Sequence, residues 1–511
     1  MNPVANKNGP RAVRPIYQYI RWRSGRPRTG RDLAFFFPGD RRMTATRHAE
    51  RLAHSPEPTT RALLNDAADR ALRYIETIRE RRVGPAPEAV ERLARLAEPL
   101  PANGVDPAAV LALLDEVGSP ATVASTGGRY FGFVIGGALP ATVAANWLTA
   151  AWDQNVAFEI QSPIAARVET VVAGWLREIF GLPSQSGVGF VTGATMANFA
   201  ALAAARHAVL ARAGWDVEER GLFAAPELKV VVGEEVHVSV RKALSMLGLG
   251  RTRVTTVPTD DQGRMRAEAL PALDDRTIVC IQAGNVNSGA FDPAAAICER
   301  AHAAGAWVHV DGAFGLWAAA APSRAHLLRG VPEADSWATD CHKWLNVPYD
   351  SGLALVRDGT HLQNAMAFSA SYLQSGPGRE PSQFTPDFSR RARGIEIWAA
   401  LKHLGRSGLA AMIERNCRQA AAIAKRLAEG GHAILNDVVL NQVLVRFGDG
   451  ETTRRVVARV QSEGTCWCGG TEWRGAPAMR VSVSCWATTD DDIERSAGAI
   501  LRVAQRLVAS G

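Results

Sequence analysis

The chain has 511 residues, 47% of them apolar, and a formal net charge of +7. That length supplies a large buried core divided over two or three substructures. No run of 18 apolar, uncharged residues occurs, which argues against a membrane-spanning helix, and seven widely spread cysteines fit a reducing cytoplasm better than a disulfide framework.

Residues 1–42 hold Lys7 and nine arginines against Asp32 and Asp40, a net of +8, so the rest of the chain is close to neutral. Met1 to Ile20 lacks the apolar core of a signal peptide. A basic arm for nucleic acid or acidic lipid is one reading of this segment. The plainer one, adopted here, is a solvated disordered tail or an extension upstream of a start at Met43, so nucleic acid and membrane are not expected partners. Residues 43–125 read as an N-terminal helical segment, with Leu63, Leu64, Ala67, Ala71 and Ile75 at three- and four-residue spacings. Pro85 and Pro87 break that pattern, and Asp106-Pro107 opens another short helix.

A Gly-rich stretch, Thr126 to Gly137, begins a larger domain over residues 126–404. Short β-branched runs at Val188–Val191, Lys229–Val232, Thr277–Gln282 and Trp307–Val310 predict strands. Helical segments at Met196–Ala213 and Pro293–Ala303 lie between them. The alternation implies an α/β fold with a mostly parallel sheet covered on both faces. Beyond about Gly405 the pattern changes to a long helix (Leu409–Ala428), strands at Val438–Phe447 and Met479–Ser484, and a last helix over Asp490–Val508. Residues 405–511 thus read as a smaller α+β domain. Cys466 and Cys468 have no second pair to complete a zinc site; they read as core packing, and no metal is expected.

Four short segments carry residues suited to chemistry. Lys343, between His342 and Trp344-Leu345, sits in apolar surroundings that disfavour an ammonium and leave the nucleophilic amine that Schiff-base chemistry requires. Read alone, the segment fits a snorkelling surface lysine equally well. Asp311 ends the apolar run Ala306–Asp311, where open α/β sheets bind ligands; a helix N-cap is the alternative. Ala313 is small enough to lie against a flat ring. Gly193, Ala194 and Thr195 stand where a strand hands over to a helix, with free N–H groups suited to phosphate. His237 follows another strand and either stacks on a ligand or packs in the core.

The order and spacing of these segments carry a resemblance. His309-Val-Asp-Gly-Ala313, Ala334-Asp-Ser336 and Asp340-Cys-His-Lys-Trp344 make the chain, from about residue 110 to 505, similar to the group II pyridoxal-5′-phosphate (PLP)-dependent amino-acid decarboxylases. That family includes the aromatic-L-amino-acid, glutamate and histidine decarboxylases and has the aspartate-aminotransferase-like fold, fold type I. The resemblance makes Lys343 the cofactor lysine, Asp311 the partner of the pyridinium nitrogen and His237 the ring-stacking histidine. It places the phosphate at Gly193, Ala194 and Thr195, close to His342. Arg129-Tyr-Phe-Gly-Phe133 resembles the family's substrate-pocket segment, pointing to Tyr130 and Phe131, and Arg480 matches an arginine that meets the substrate carboxylate in some relatives. Ser162-Pro163 and Glu169 also fit the pattern.

Tyr372, in Phe368–Leu373, matches a loop tyrosine that returns a proton to Cα after carbon dioxide leaves. Related enzymes that convert amines to aldehydes often carry Phe there, so Tyr372 favours plain decarboxylation. The resemblance also implies a homodimer with sites near the subunit interface. Two departures stand out: Gly284-Asn-Val-Asn-Ser-Gly289 where relatives often have Gly-Thr-Thr, and Asp-Cys-His-Lys where Asn-Pro-His-Lys is common. A PLP carbon–carbon lyase or a decarboxylation-dependent oxidase on the same scaffold is the nearest alternative, and a non-catalytic nucleic-acid-associated protein using the basic tail is the distant one.

Overall fold

The computed structural model describes residues 57–368 and 379–508; residues 1–42 and Tyr372 lie outside the described residues. The chain divides into two units, Met1–Leu64 and Asn65–Gly511. A helix over Glu57–Thr77 begins the described part, and both sheets belong to the second unit.

In chain order the described strands are β1 (Tyr130–Phe131), β2 (Gly187–Val191), β3 (Lys229–Gly233), β4 (Thr255–Val257), β5 (Thr277–Gln282), β6 (Trp307–Asp311), β7 (Ser336–Asp340), β8 (Gly352–Val356), β9 (Ala433–Ile434), β10 (Gln442–Arg446), β11 (Trp467–Trp473) and β12 (Ala476–Ser482). The larger sheet has the order β2-β8-β7-β6-β5-β3-β4. Its pairs are parallel from β7 across to β4, and β8 runs antiparallel to both its neighbours. Every residue of β2, β5, β6, β7 and β8 is buried. Strands covered on both faces carry no polar alternation, and runs poor in β-branched residues, such as Ser336-Trp-Ala-Thr-Asp340 and Gly352-Leu-Ala-Leu-Val356, do not announce themselves. That is why β7 and β8 were absent from the sequence reading.

The direction of the strands makes the site. Strands β2, β3, β5, β6 and β7 run the same way, so Val191, Gly233, Gln282, Asp311 and Asp340 all finish at one edge, where ligands bind in open α/β sheets. The helix Ala194–Arg212 leaves β2 from that edge. It starts two residues before the expected Met196, because Gly193, in extended backbone (φ 166°, ψ 179°), already serves as its N-cap. Alanines 197, 200, 201, 204, 205 and 208 are buried along it, and their small side chains let the helix lie close on the sheet.

The smaller sheet has the order β1-β11-β12-β10-β9. Phe131, Ile423, Val443, Val445, Phe447, Met479, Val481 and Ile500 fill its core, together with Cys466 and Cys468. Tyr130–Phe131 therefore joins the C-terminal sheet, pairing in parallel with β11. The strand expected over Val438–Phe447 forms only at Gln442–Arg446, since Val438 takes a positive φ of 47° that no strand accommodates. The strand expected over Met479–Ser484 instead spans Ala476–Ser482. The helix expected over Leu409–Ala428 is the later part of a longer one, Gly394–Glu429, broken at Gly405 where φ is 60° and ψ −175°. The final helix runs Asp490–Val508 as the pattern predicts.

Candidate active site

Lysine is rare in this chain, with residues 7, 229, 242, 343, 402 and 425 the full set. Of the five described, Lys343 alone is withdrawn from solvent, its side chain 18% exposed; the other four are exposed. The segment that follows it is pinned on both sides. Buried Trp344 donates its indole N–H to Asn416 at 3.0 Å. Asn346 receives the Trp486 N–H at 2.9 Å and donates to the Ser484 carbonyl at 3.1 Å. Lysine scarcity was a usable sequence signal that the motif reading passed over.

Asp311 is 4% exposed at the end of β6. One carboxylate oxygen accepts the Ala313 N–H at 3.1 Å, the short turn that a capping aspartate would also make. The other receives the Asn198 amide at 3.1 Å and the Ser239 hydroxyl at 3.3 Å. All three donors are neutral, and no Lys, Arg or His lies within ion-pair distance among the described residues. A buried carboxylate so placed is stabilised by hydrogen bonds yet lacks a counter-charge, which fits a protonated pyridine ring nitrogen.

Behind Asp311 runs a chain of polar groups. Asn198 accepts through Oδ1 from His309 Nε2 at 2.8 Å, and His309 Nδ1 meets the Ser336 hydroxyl at 2.9 Å. His237 caps the helix Val238–Met246, its Nδ1 accepting the Ser239 N–H at 3.2 Å and lying 2.7 Å from the Ser239 hydroxyl. These bonds fix the ring's orientation, and burial depresses its pKa, an effect the nearby Asp311 carboxylate partly offsets. Asn198 and Ser239 were not singled out in the sequence. Asn198 is one helical turn past Ala194, and Ser239 is two residues past His237, so helix and cap geometry were the available cues.

Fully buried His309 yields a pH prediction. Burial pushes its pKa down to about 4, below the value near 6.5 of a free histidine. The folded state therefore binds fewer protons between these values. Stability present above pH 6.5 is lost as pH falls toward 4, by about 3 kcal/mol at most from this residue. A His309→Gln variant is expected to be less stable at pH 7 but to lose less between pH 7 and 4.5, read as urea midpoints. Equal pH slopes in the two proteins would remove His309 as the cause.

The turn expected to hold the phosphate consists of Gly193, Ala194 and Thr195, with His342 beside it. A Cβ on Gly193 would lie 2.9 Å from His342 Cε1, and one on Gly352 only 2.5 Å from Gly193 Cα. Two glycines thus let the turn, β8 and the imidazole meet. His342 Nδ1 accepts the Ser351 N–H at 3.1 Å, and burial lowers its pKa, so the neutral ring carries its proton on Nε2, facing the turn. The N–H groups of Thr195 and Met196 have no acceptor among the described residues, as expected in the first turn of a helix. Ala194 differs: its N–H reaches Asp340 Oδ1 at 2.5 Å.

Of the expected substrate residues, Tyr130 stacks on Trp467 with ring centroids 5.1 Å apart, and burial pushes its hydroxyl up to about 12. Phe131 is fully buried in the second core. Arg480 donates through Nη1 to the Val286 carbonyl at 3.1 Å and to Asn287 Oδ1 at 3.4 Å, both in the loop that departs from the common Gly-Thr-Thr pattern. Glu169 is a buried partner of Arg379 at 2.9 Å and Arg390 at 2.6 Å. Tyr349, unread in the sequence, stacks on His342 at 4.2 Å.

A family model described as the pyridoxal-dependent decarboxylase conserved domain matches residues 128–447. The chain is 28% identical over 324 residues to an aromatic-L-amino-acid decarboxylase of Bacillus atrophaeus, covering 61% of this chain and 65% of that one. It is 32% identical over 318 residues to an acidic amino acid decarboxylase of Bos taurus, covering 59% of each. It therefore spans less than two thirds of the length of these relatives. In three dimensions it matches Oryza sativa TDC with PLP and tryptamine at a TM-score of 0.80 and 21% identity, over 88% of this chain and 98% of that one. Mouse CSAD in apo form matches at 0.81 and 23%, over 88% and 99%. At those identities the likeness establishes the fold, PLP-dependent fold type I. With the family model covering more than half its length, the chain belongs to the pyridoxal-dependent decarboxylases, whose cofactor is pyridoxal phosphate.

Proposed function

We propose that the protein removes the α-carboxylate of an L-amino acid as carbon dioxide and releases the amine. The observation that carries this reading is the buried carboxylate of Asp311, without a cation partner among the described residues, on the same sheet edge as the one described lysine withdrawn from solvent and a helix N-terminus with unused amides. Bound pyridoxal phosphate supplies the electron sink for the pair left by the broken Cα–carboxylate bond. Lys343 attaches the cofactor, and Asp311 holds the proton of the ring nitrogen. Thr195, the first helix amides and the Nε2–H of His342 hold the phosphate, with the positive end of the helix dipole behind them. His237, its ring fixed by Ser239, lies against the cofactor beside Ala313. Arg480 keeps cationic donors free for a substrate carboxylate, and Tyr130 and the aromatic ring of Trp467 line the approach. Tyr372 remains the proton donor on the resemblance alone.

The test is release of carbon dioxide from each of the twenty amino acids with PLP added, with ammonia and oxygen uptake measured in parallel. Release from one or two substrates without oxygen uptake supports decarboxylation. Oxygen uptake with ammonia moves the reading to an oxidase, and bound cofactor without carbon dioxide moves it to a lyase.

A homodimer in the cytoplasm completes the proposal. Leu72, Ile75, Val90, Leu96, Leu114, Trp147, Leu148 and Trp152 are all exposed, apolar surface of the kind that a subunit interface would cover. All seven cysteines are buried and unpaired, and no described helix is long and apolar enough to cross a membrane. Sedimentation velocity is expected to give twice the chain mass of 54.8 kDa; a monomer at micromolar concentration would reject the dimer.

A further inference from the structure

We propose that Asp340 is a positioning residue that occupies the phosphate end of the site while the cofactor is away, and that its charge sets how tightly that end takes phosphate. The inference rests on the reading of the Gly193–Thr195 turn as the phosphate site.

Asp340 ends β7 and is 2% exposed. Its Oδ1 accepts the Ala194 N–H at 2.5 Å and lies 3.4 Å from His342 Nε2. Its Oδ2 lies 2.9 Å from Lys343 Nζ. One carboxylate thus meets the first amide of the helix, the imidazole N–H and the lysine ammonium. This is an anion seated at a helix N-terminus, built from the chain itself.

Two consequences follow from charge and from acceptor counting. A carboxylate oxygen and an ionised phosphate oxygen are both acceptors, so they compete for the single Ala194 N–H. Like charges that close also repel through a site screened from water. Asp340 therefore weakens phosphate binding relative to a neutral residue of the same shape. In exchange, it holds the Lys343 ammonium at the turn, where among the described residues that ammonium has no other acceptor.

The test uses the full chain freed of cofactor by dialysis against hydroxylamine, as wild type, Asp340→Asn and Asp340→Ser. Inorganic phosphate is titrated calorimetrically, and attachment of PLP to Lys343 is read by borohydride trapping and mass spectrometry. Both variants are expected to bind phosphate about tenfold more tightly than wild type, the scale of one removed like charge. Their cofactor-free melting temperatures are expected to fall. A merely structural lesion would loosen the turn and weaken phosphate binding, so the gain is diagnostic. Unchanged or weaker phosphate binding in both variants, with PLP still trapped at Lys343 in wild type, overturns the role of Asp340 and leaves the cofactor site standing. A wild type that neither binds phosphate nor traps PLP at Lys343 overturns both.

Discussion

A Lys343→Ala variant is expected to release no carbon dioxide above background from any amino acid, a loss of roughly four or more orders of magnitude for a residue that bonds to the cofactor. The structure gives this substitution a clean interpretation. Lys343 makes one ion pair, to Asp340, and its removal leaves that carboxylate the Ala194 N–H. The neighbouring chain is held independently through Trp344, Asn346 and the buried contacts of Leu345, so the fold persists and a melting curve checks it. Cofactor still associates through Asp311 and the helix N-terminus, but borohydride no longer fixes it to the protein. No other described lysine is withdrawn from solvent to take over. Turnover within tenfold of wild type would mean that Lys343 is the snorkelling surface lysine its local sequence equally allows.

Much of this site was legible because its residues sit at strand ends, and short apolar strands of β-branched residues are easily read. Asp311 closes Trp-Val-His-Val, and Gly193 follows Gly-Phe-Val-Thr, so the edge of the sheet was marked twice. What stayed hidden has physical causes. Strand β7 reads Ser-Trp-Ala-Thr-Asp, and only burial on both faces makes it a central strand. With β7 unseen, Asp340 was one letter of a motif rather than the end of a strand beside Asp311. Asn198 and Ser239 contact Asp311 across 113 and 72 residues of chain, and no local pattern encodes such separations. Phe131 was read with Tyr130 as one pocket segment, yet neighbours on a strand face opposite ways. Tyr130 stacks on Trp467 and Phe131 enters the core.

Asp311→Asn is expected to lower the rate by about a thousandfold, the scale of removing a preorganised charge from the reacting centre, and to weaken cofactor binding by roughly a hundredfold, as when one partner of a buried charge pair is neutralised. The substitution separates the two roles that sequence left open. Asparagine caps a helix or a short turn as well as aspartate does, so a residue needed only to accept the Ala313 N–H could be asparagine. The charge does not survive. An aspartate present only as a cap would therefore tolerate asparagine with activity and cofactor affinity within a few-fold of wild type. The second oxygen makes the distinction sharper. It is met by the Asn198 amide and the Ser239 hydroxyl, and an asparagine that turned its own NH2 toward them would set donor against donor. Asn198 is held from behind by His309, so it cannot turn freely, and the variant's amide oxygen must stay where the carboxylate oxygen was. Its NH2 then replaces the oxygen that accepted the Ala313 N–H, so either orientation of the amide loses an acceptor that the carboxylate had. A large rate loss in a protein that remains folded is thus what the arrangement of three neutral donors around one carboxylate requires.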